Sequence, residues 1–357
     1  MKGHRGKTLI GLIVTVALLW WALHDVSATA VLQEVRSANL WWLLAAVVLA
    51  TTSFLVRAAR WRVLLLPAHP DIGFRERFGA VSVGFMVNNL LPARLGEFAR
   101  AFTLSRVAPI GVSAAFASLV VERVFDGLML ALFIFIALAS PGFPLGGGDE
   151  GNLVRGTATL GAAVFGVGLA VLWLLVRFPE KSLAFFEATV GRVLPPHLTR
   201  RGIEILASFI GGLGALHDVG LFVRAVLWSL VVWVWLAASM WCGLLAFGIV
   251  SPGPIGSLFL QGLIGFMVAI PSSPGFFGPF EAATKLALLP YGVSPNLIIS
   301  FATTYHITTF VPITIIGLWY VRRLGLSWSE VGHSEEIVEA AVEHGPARED
   351  PVTRGSC

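Results

Sequence analysis

The residues able to do chemistry fall in four short stretches of an otherwise apolar sequence. "SLVVERVFDGL" (Ser118 to Leu128) sets Glu122, Arg123 and Asp126 inside a long apolar run. Glu122 and Asp126 are four apart and share a helix face, with Arg123 beside the first and one turn from the second. "NNLLPARLGEFAR" (Asn88 to Arg100) supplies Asn88 and Asn89, then Arg94, Glu97 and Arg100 spaced by threes. "PSSPGFFGPFE" (Pro271 to Glu281) is followed by Lys285, four residues after Glu281 in the favourable acid-first order. The last apolar run adds Tyr305 and His306. A charge in hydrocarbon costs about 3 kcal/mol or more, so these groups must face protein or water and have partners. The planar fork of arginine suits a pair of phosphate oxygens. Arg94, Arg100 and Arg123 therefore form a candidate cationic site for an anionic head group, with Glu97, Glu122 and Asp126 balancing and orienting them. Asn88, Asn89, Glu281, Lys285, Tyr305 and His306 are further candidate substrate contacts. The plainer alternative makes these residues structural ion pairs, with Glu281 and Lys285 paired within one helix and His306 an interior hydrogen-bonding group.

The elements that must position them are membrane helices. The chain of 357 residues is 56% hydrophobic and 13% charged, with a mean hydropathy of +0.81, where soluble domains carry about 25% charged residues. Apolar runs long enough for a ~30 Å hydrocarbon core lie at 8–24, 40–58, 112–139, 153–176, 220–248 and 297–321. The first is short, basic in front and followed by Ala28-Thr29-Ala30, so a cleaved signal peptide is its alternative reading; Trp20 and Trp21 read instead as interfacial anchors. Segments 1–7, 59–77, 177–219 and beyond 321 hold most of the arginines, Arg60, Arg62, Arg75, Arg77, Arg322 and Arg323 among them. The positive-inside rule then puts both termini in the cytoplasm and the chain in the cell membrane as a multi-pass protein.

Two apolar stretches, 78–106 and 257–290, are interrupted and cannot be simple spans. They read as re-entrant helical hairpins with tips at Pro92 and Gly96 and at Pro274, Gly275 and Gly278. Irregular backbone at membrane depth needs protein or water to satisfy it, so the tips are expected to meet. The order span, span, hairpin, span then occurs twice with opposite direction. The expected fold is an all-α polytopic membrane protein of about six full transmembrane helices plus two re-entrant helical hairpins arranged as an inverted repeat. Residues 1–323 make one membrane domain with halves 8–139 and 153–323, an interfacial amphipathic segment at 180–217, and a tail at 324–357 expected to be disordered. From Glu330 to Cys357 that tail carries seven acids and two arginines, which leaves about +9 on the rest of a chain whose net charge is +4, so the basic pI is a topology signal and nucleic acid is not expected. Interrupted helices in matching positions of two inverted halves point to a transporter with its site near the midplane.

Neither GxxxxGK[ST] nor HExxH occurs, and Cys242 and Cys357 suit no disulfide framework. No cofactor or metal is expected. An enzyme using Glu97, Glu122, Asp126 and His306 as acid–base groups or ligands is the less favoured reading, and an accessory protein delivering lipid to a synthase or glycosyltransferase is a third.

"RAARWRVLL" (Arg57 to Leu65), "NNLLPARLGEFARAF" (Asn88 to Phe102), "SLVVERVFDGL" and "PSSPGFFGPFEA" (Pro271 to Ala282) together resemble the lysylphosphatidylglycerol synthase transmembrane family, also called flippase-like, across nearly all of residues 8–323. The resemblance implies lipid handling. In multi-domain members the membrane domain is taken to move aminoacylated phosphatidylglycerol between leaflets, and other relatives are linked to polyprenyl-lipid glycosylation or to hopanoid transport. Asn88 or Asn89, Pro92, Arg94, Gly96 and Glu97 match the family's second block, and Glu122, Arg123 and Asp126 its "ERxxD". The 34 residues after Arg323 are too few for the soluble acyltransferase domain of those members, which implies a stand-alone membrane domain. The expected activity is movement of an anionic, aminoacylated or polyprenyl-phosphate-type lipid between leaflets. Expected partners are that phospholipid or polyprenyl lipid, with a second copy of the chain and a synthase or glycosyltransferase as further candidates.

Overall fold

The computed structural model describes residues 2–69, 71–91, 94–144, 218–270 and 272–343, with 167–168, 170–171, 174, 177–190 and isolated positions up to 203. The expected span at 153–176, most of 180–217, and the residues Pro92 and Pro271 lie wholly or largely outside these. Thirteen α-helices are described, and no strand occurs among the described residues. They are α1 (Lys2–Leu23), α2 (Ala28–Ser37), α3 (Leu40–Leu65), α4 (Phe74–Leu90), α5 (Gly96–Val107), α6 (Val112–Ala139) and α7 (Pro179–Val190). Then follow α8 (Val219–Ala246), α9 (Gly253–Met267), α10 (Pro279–Leu288), α11 (Pro295–Arg323), α12 (Trp328–Gly332) and α13 (Ser334–Glu343).

Helix starts are set by polar caps. The Asn39 side chain accepts from the N–H groups of Trp41 and Trp42 at the head of α3, Asp218 from Gly220 at α8, and Ser294 from Leu297 at α11, where Pro295 takes the first helical position. Helices α3, α8 and α11 are long and apolar enough to cross a membrane, and α1 with α2, bent by 79° at their break, supplies a fourth if taken as one span. Helix α6 has 28 residues but carries its three charges near the middle. Exposed Trp20, Leu12, Trp41 and Val223 line the outer surface of these helices, as a lipid-facing belt requires.

The hairpins are α4–α5 and α9–α10. In the first, α4 stops at Leu91, which is extended (φ −108°), and the chain passes Arg94 in the left-handed region (φ 56°). The N–H of Gly96 then donates to the Asn88 side chain at 2.8 Å, closing the turn. A Cβ on Gly96 would strike the Gly84 carbonyl and the Asn88 amide, so the two arms touch here because neither residue has a side chain. In the second, a 3₁₀ turn at Pro274–Phe276 leads through Gly278 (φ 96°) into α10, where Glu281 accepts from the Gly278 N–H at 2.7 Å. That is the return half of a capping box.

The helix pairing follows an inverted repeat. Helix α3 packs on α4 as α8 packs on α9; α5 on α6 as α10 on α11; and α4 on α11 as α9 on α6. The central pair is α3 with α8. Each half has its own apolar cluster, around Trp61, Leu104 and Phe125 in the first and around Leu260, Phe301 and Tyr305 in the second. The two hairpin tips meet, as expected: the Arg94 guanidinium donates to the Val268 carbonyl at 3.0 Å and lies over the Phe276 ring. Helix α1 packs on α10, and Thr15 accepts from the Ser273 N–H at 2.9 Å.

The tail departs from its expected disorder as far as Glu343. Ser327 and Glu330 form a capping box for α12, and Val331, Ser334 and Val338 are fully buried. Helix α13 packs on α5 and α6. Acidic composition concealed apolar positions spaced to bury one helical stripe.

Candidate functional site

Where α3, α5, α6 and α8 converge, four guanidinium groups surround two carboxylates. Glu122 on α6 is fully buried. It accepts from Arg100 of α5 through both oxygens, at 2.7 and 3.0 Å, and from its neighbour Arg123 at 2.7 Å, and it forms an ion pair with Arg60 of α3 at 3.0 Å. Asp126, one turn on, accepts from Arg60 at 2.5 Å and from the indole N–H of Trp233 on α8 at 2.8 Å, and forms an ion pair with Arg123 at 2.9 Å. Ser229 adds an acceptor for Arg60 at 3.3 Å. The Arg100 guanidinium lies 3.8 Å from the centre of the Trp61 ring, and Trp61 in turn donates to Ser118. Glu97, at the start of α5, sits 3.6 Å from Arg123 on the side where both are partly exposed.

The fourth arginine, Arg57, is 6% exposed and enters no ion pair among the described residues. Its guanidinium is held between the faces of Phe85 and Trp233, 5.2 and 5.3 Å from the ring centres. Its Nε and Nη1 find no acceptor, and neither does the Nε of Arg60, Arg100 or Arg123. Counting Glu97, four positive groups face three negative ones, and the surplus is in donors as well as in charge. A buried group of this kind needs an acceptor. The cluster lies about 15 Å from the start of α6 and about 8 Å from the end of α3 at 1.5 Å per residue.

The remaining candidates form separate groups. His306 on α11 contacts Glu281 on α10 through Nδ1 at 2.8 Å, and its Nε2 donates to the Gly275 carbonyl at 2.8 Å. Its ring stacks on Phe280, 4.2 Å between centres. Tyr305 shares a 2.7 Å hydrogen bond with Ser239 of α8. Asn89 donates to Thr314 at 2.8 Å, tying α4 to α11. The intrahelical pair of Glu281 and Lys285 is replaced by two longer-range attachments. Lys285 donates to the Trp21 and Ala22 carbonyls at the end of α1 and to Asp25 at 2.5 Å, a bond that holds the Asp25 carboxyl below its ordinary range. The lysine thereby occupies the end of α1 where the helix dipole is negative.

Arg57 and Arg60 were missed as site residues. Arg60 read as a membrane-flanking charge because the apolar run ends at 58, whereas α3 continues to Leu65 and buries it completely. The signal that could have found them is their spacing: three apart, they share a face with the buried Ser53 and Leu64. Among the described residues, no three His, Cys, Asp or Glu side chains are grouped to hold a metal ion.

The matching pairing of the helices in the two halves, with two interrupted hairpins whose tips touch, defines an all-α polytopic membrane protein. More narrowly, the chain belongs to the family of the lysylphosphatidylglycerol synthase TM region, which matches residues 8–317. A UPF0104 membrane protein of Methanothermobacter thermautotrophicus is 26% identical over 92% of this chain and 98% of its own length. Glycosyltransferase AglD of Haloferax volcanii is 27% identical over 88% of this chain, which spans only 54% of that protein. UPF0104 membrane protein PH1989 of Pyrococcus horikoshii is 27% identical over 36% of this chain. No solved structure matches. The family gives the chain a lipid-related role in a membrane.

Proposed function

We propose that the protein is a lipid flippase that carries the head group of an anionic, aminoacylated or polyprenyl-phosphate-type lipid past the buried arginine cluster while the acyl chains stay in the bilayer. The observation that carries the reading is Arg57: a buried guanidinium without a carboxylate partner, beside three more whose Nε–H groups lack acceptors. A phosphate group supplies the missing acceptors and the missing negative charge. Arg123 and Glu97, on the exposed side of the cluster, are the first groups such a ligand meets, and the touching hairpin tips supply a gate that must open for passage. In this reading both termini are cytoplasmic, the protein resides in the cell membrane, and no catalytic step is assigned to it. The arginines Arg62, Arg75, Arg77, Arg322 and Arg323 all lie at the end where α3 and α11 finish and α4 begins, as the positive-inside rule asks.

The test is a leaflet-asymmetry assay in proteoliposomes with fluorescent phosphatidylglycerol, an aminoacyl lipid and a polyprenyl-phosphate analogue. Protein-dependent movement of one lipid, lost in folded Arg57→Met and Arg123→Ala, supports the reading; movement that survives both substitutions overturns it.

The likeness to glycosyltransferase AglD favours a second reading, in which the membrane domain presents a lipid to a glycosyltransferase without moving it across. That reading expects binding of the polyprenyl-phosphate analogue with no change of leaflet, and dependence on a partner enzyme.

A further inference from the structure

A second cationic site lies outside the buried cluster. Between α3, α4 and α8, at the end of the molecule where α3 finishes, a cleft of about 660 Å³ is lined by Arg62, Arg77 and Arg224 together with the apolar Leu66, Phe74 and Trp228. Among the described lining residues there is no carboxylate. Arg77 is buried and held by donation to the carbonyls of Ile72, Gly73 and Ala58, with its guanidinium over the Phe74 ring and no ion pair among the described residues. Arg62 and Arg224, from two different helices, are exposed and have no ion-pair partner among the described residues. Three like charges held together in one cleft repel one another, and an anion between them removes that penalty.

We propose that this cleft binds the phosphate of an anionic membrane lipid, with the glycerol and the first acyl carbons against Leu66, Phe74 and Trp228. The apolar wall argues for a lipid over a soluble phosphate, since a free ion gains nothing from the three apolar side chains. The volume falls in the range of small-ligand pockets. The site is separate from the buried cluster: Ala59 and Val63 line it, while Arg57 and Arg60 on the same helix turn toward α6 and α8. Binding here does not depend on the flippase reading.

The test uses the full chain in nanodiscs of phosphatidylcholine doped with a photoactivatable phosphatidic acid, and in a parallel sample a photoactivatable phosphatidylcholine, with cross-linked peptides mapped. Phosphatidic acid is expected to label the α3, α4 and α8 peptides around Leu66, Phe74 and Trp228 at least fivefold over phosphatidylcholine. That labelling should fall at least fivefold in Arg62→Ala/Arg224→Ala, persist in Arg62→Lys/Arg224→Lys, and be unchanged in Arg57→Met, which separates this site from the buried one. Equal labelling by the two lipids, or labelling indifferent to the alanine pair in a protein with unchanged melting temperature, overturns the proposal. Loss of labelling on addition of millimolar inorganic phosphate at constant ionic strength overturns the lipid assignment and gives the cleft to a soluble phosphate.

Discussion

The two halves place polar groups at matching positions and make different chemistry from them. Glu122 stands ten residues into α6, and Tyr305 ten residues into α11. Arg60 stands twenty residues into α3 and bonds to Glu122; Ser239 stands twenty residues into α8 and bonds to Tyr305. In both halves the returning arm of the hairpin reaches the following span, through Arg100 to Glu122 in the first and through Glu281 to His306 in the second. The inverted arrangement puts the two polar groups toward opposite ends of the molecule. The first is arginine-rich and has donors to spare. The second is closed: both ring nitrogens of His306 and both oxygens of Glu281 are engaged. One scaffold thus supports a charged cluster with unmet donors and a joint whose hydrogen-bonding groups are engaged; the proposed ligand contact belongs to the first half, and the second fixes its hairpin to α11.

The strongest way to break this comparison is Glu122→Ala. Removing the carboxylate shared by three buried arginines leaves their charges uncompensated, and breaking a buried pair in this way costs about 3–5 kcal/mol. The expected outcome is loss of monodisperse protein on size exclusion, or a steep fall in melting temperature in detergent. Arg57→Met should act the other way on stability. It removes a buried group with unmet hydrogen bonds, worth about 1–3 kcal/mol of penalty, so the melting temperature should hold or rise while lipid movement is lost. A variant that loses both would make Arg57 a structural residue and erase the contrast between the halves. Glu281→Gln should keep the shape of the second joint but weaken its contacts to the Gly278 N–H and His306, at about 1–2 kcal/mol, measured as a lower melting temperature with the transport rate per folded molecule retained.

The smallest effect is expected at the Asp25–Lys285 bond. The Asp25 carboxyl titrates below its usual value of about 3.9 because Lys285 donates to it. Its contribution is therefore present above about pH 4 and is lost as the pH falls through the lowered value. The pair is partly exposed, which limits it to about 0–1 kcal/mol. The melting-temperature difference between wild type and Asp25→Asn should be full at pH 6 and shrink as the pH falls below about 4.

Much of this fold was legible because the interruptions that define it are chemical. Asn88, Gly96, Gly275 and Gly278 cannot sit in an unbroken span, and they mark the tips that do meet. The span limits of α6 are those of its apolar run, 112–139. Of the candidate site, Glu97, Arg100, Glu122, Arg123 and Asp126 come together, since spacings of three and four residues report shared helix faces directly. What spacing cannot report is the partner on another helix. Lys285 and Glu281 satisfy the rule for an intrahelical pair and still part company, one to α1 and one to α11. Arg57 and Arg60 were hidden for a different reason: the end of an apolar run marks where hydropathy changes, not where burial ends.

The dependence of Asp126 on Arg60 and Trp233 also bears on how the chain is made. A ribosome delivers α6 before α8 exists, so when Glu122, Arg123 and Asp126 reach the insertion machinery the indole of Trp233 and the hydroxyl of Ser229 are still to be synthesised. Each of Arg123 and Asp126 then opposes insertion by about 2.5–3.5 kcal/mol at mid-helix. Arg60, made earlier on α3, is already at hand to meet both carboxylates. Arg100 on α5 is likewise made before α6, so the order of synthesis supplies Arg60 and Arg100 ahead of the two buried acids and the α8 hydrogen-bonding groups after them.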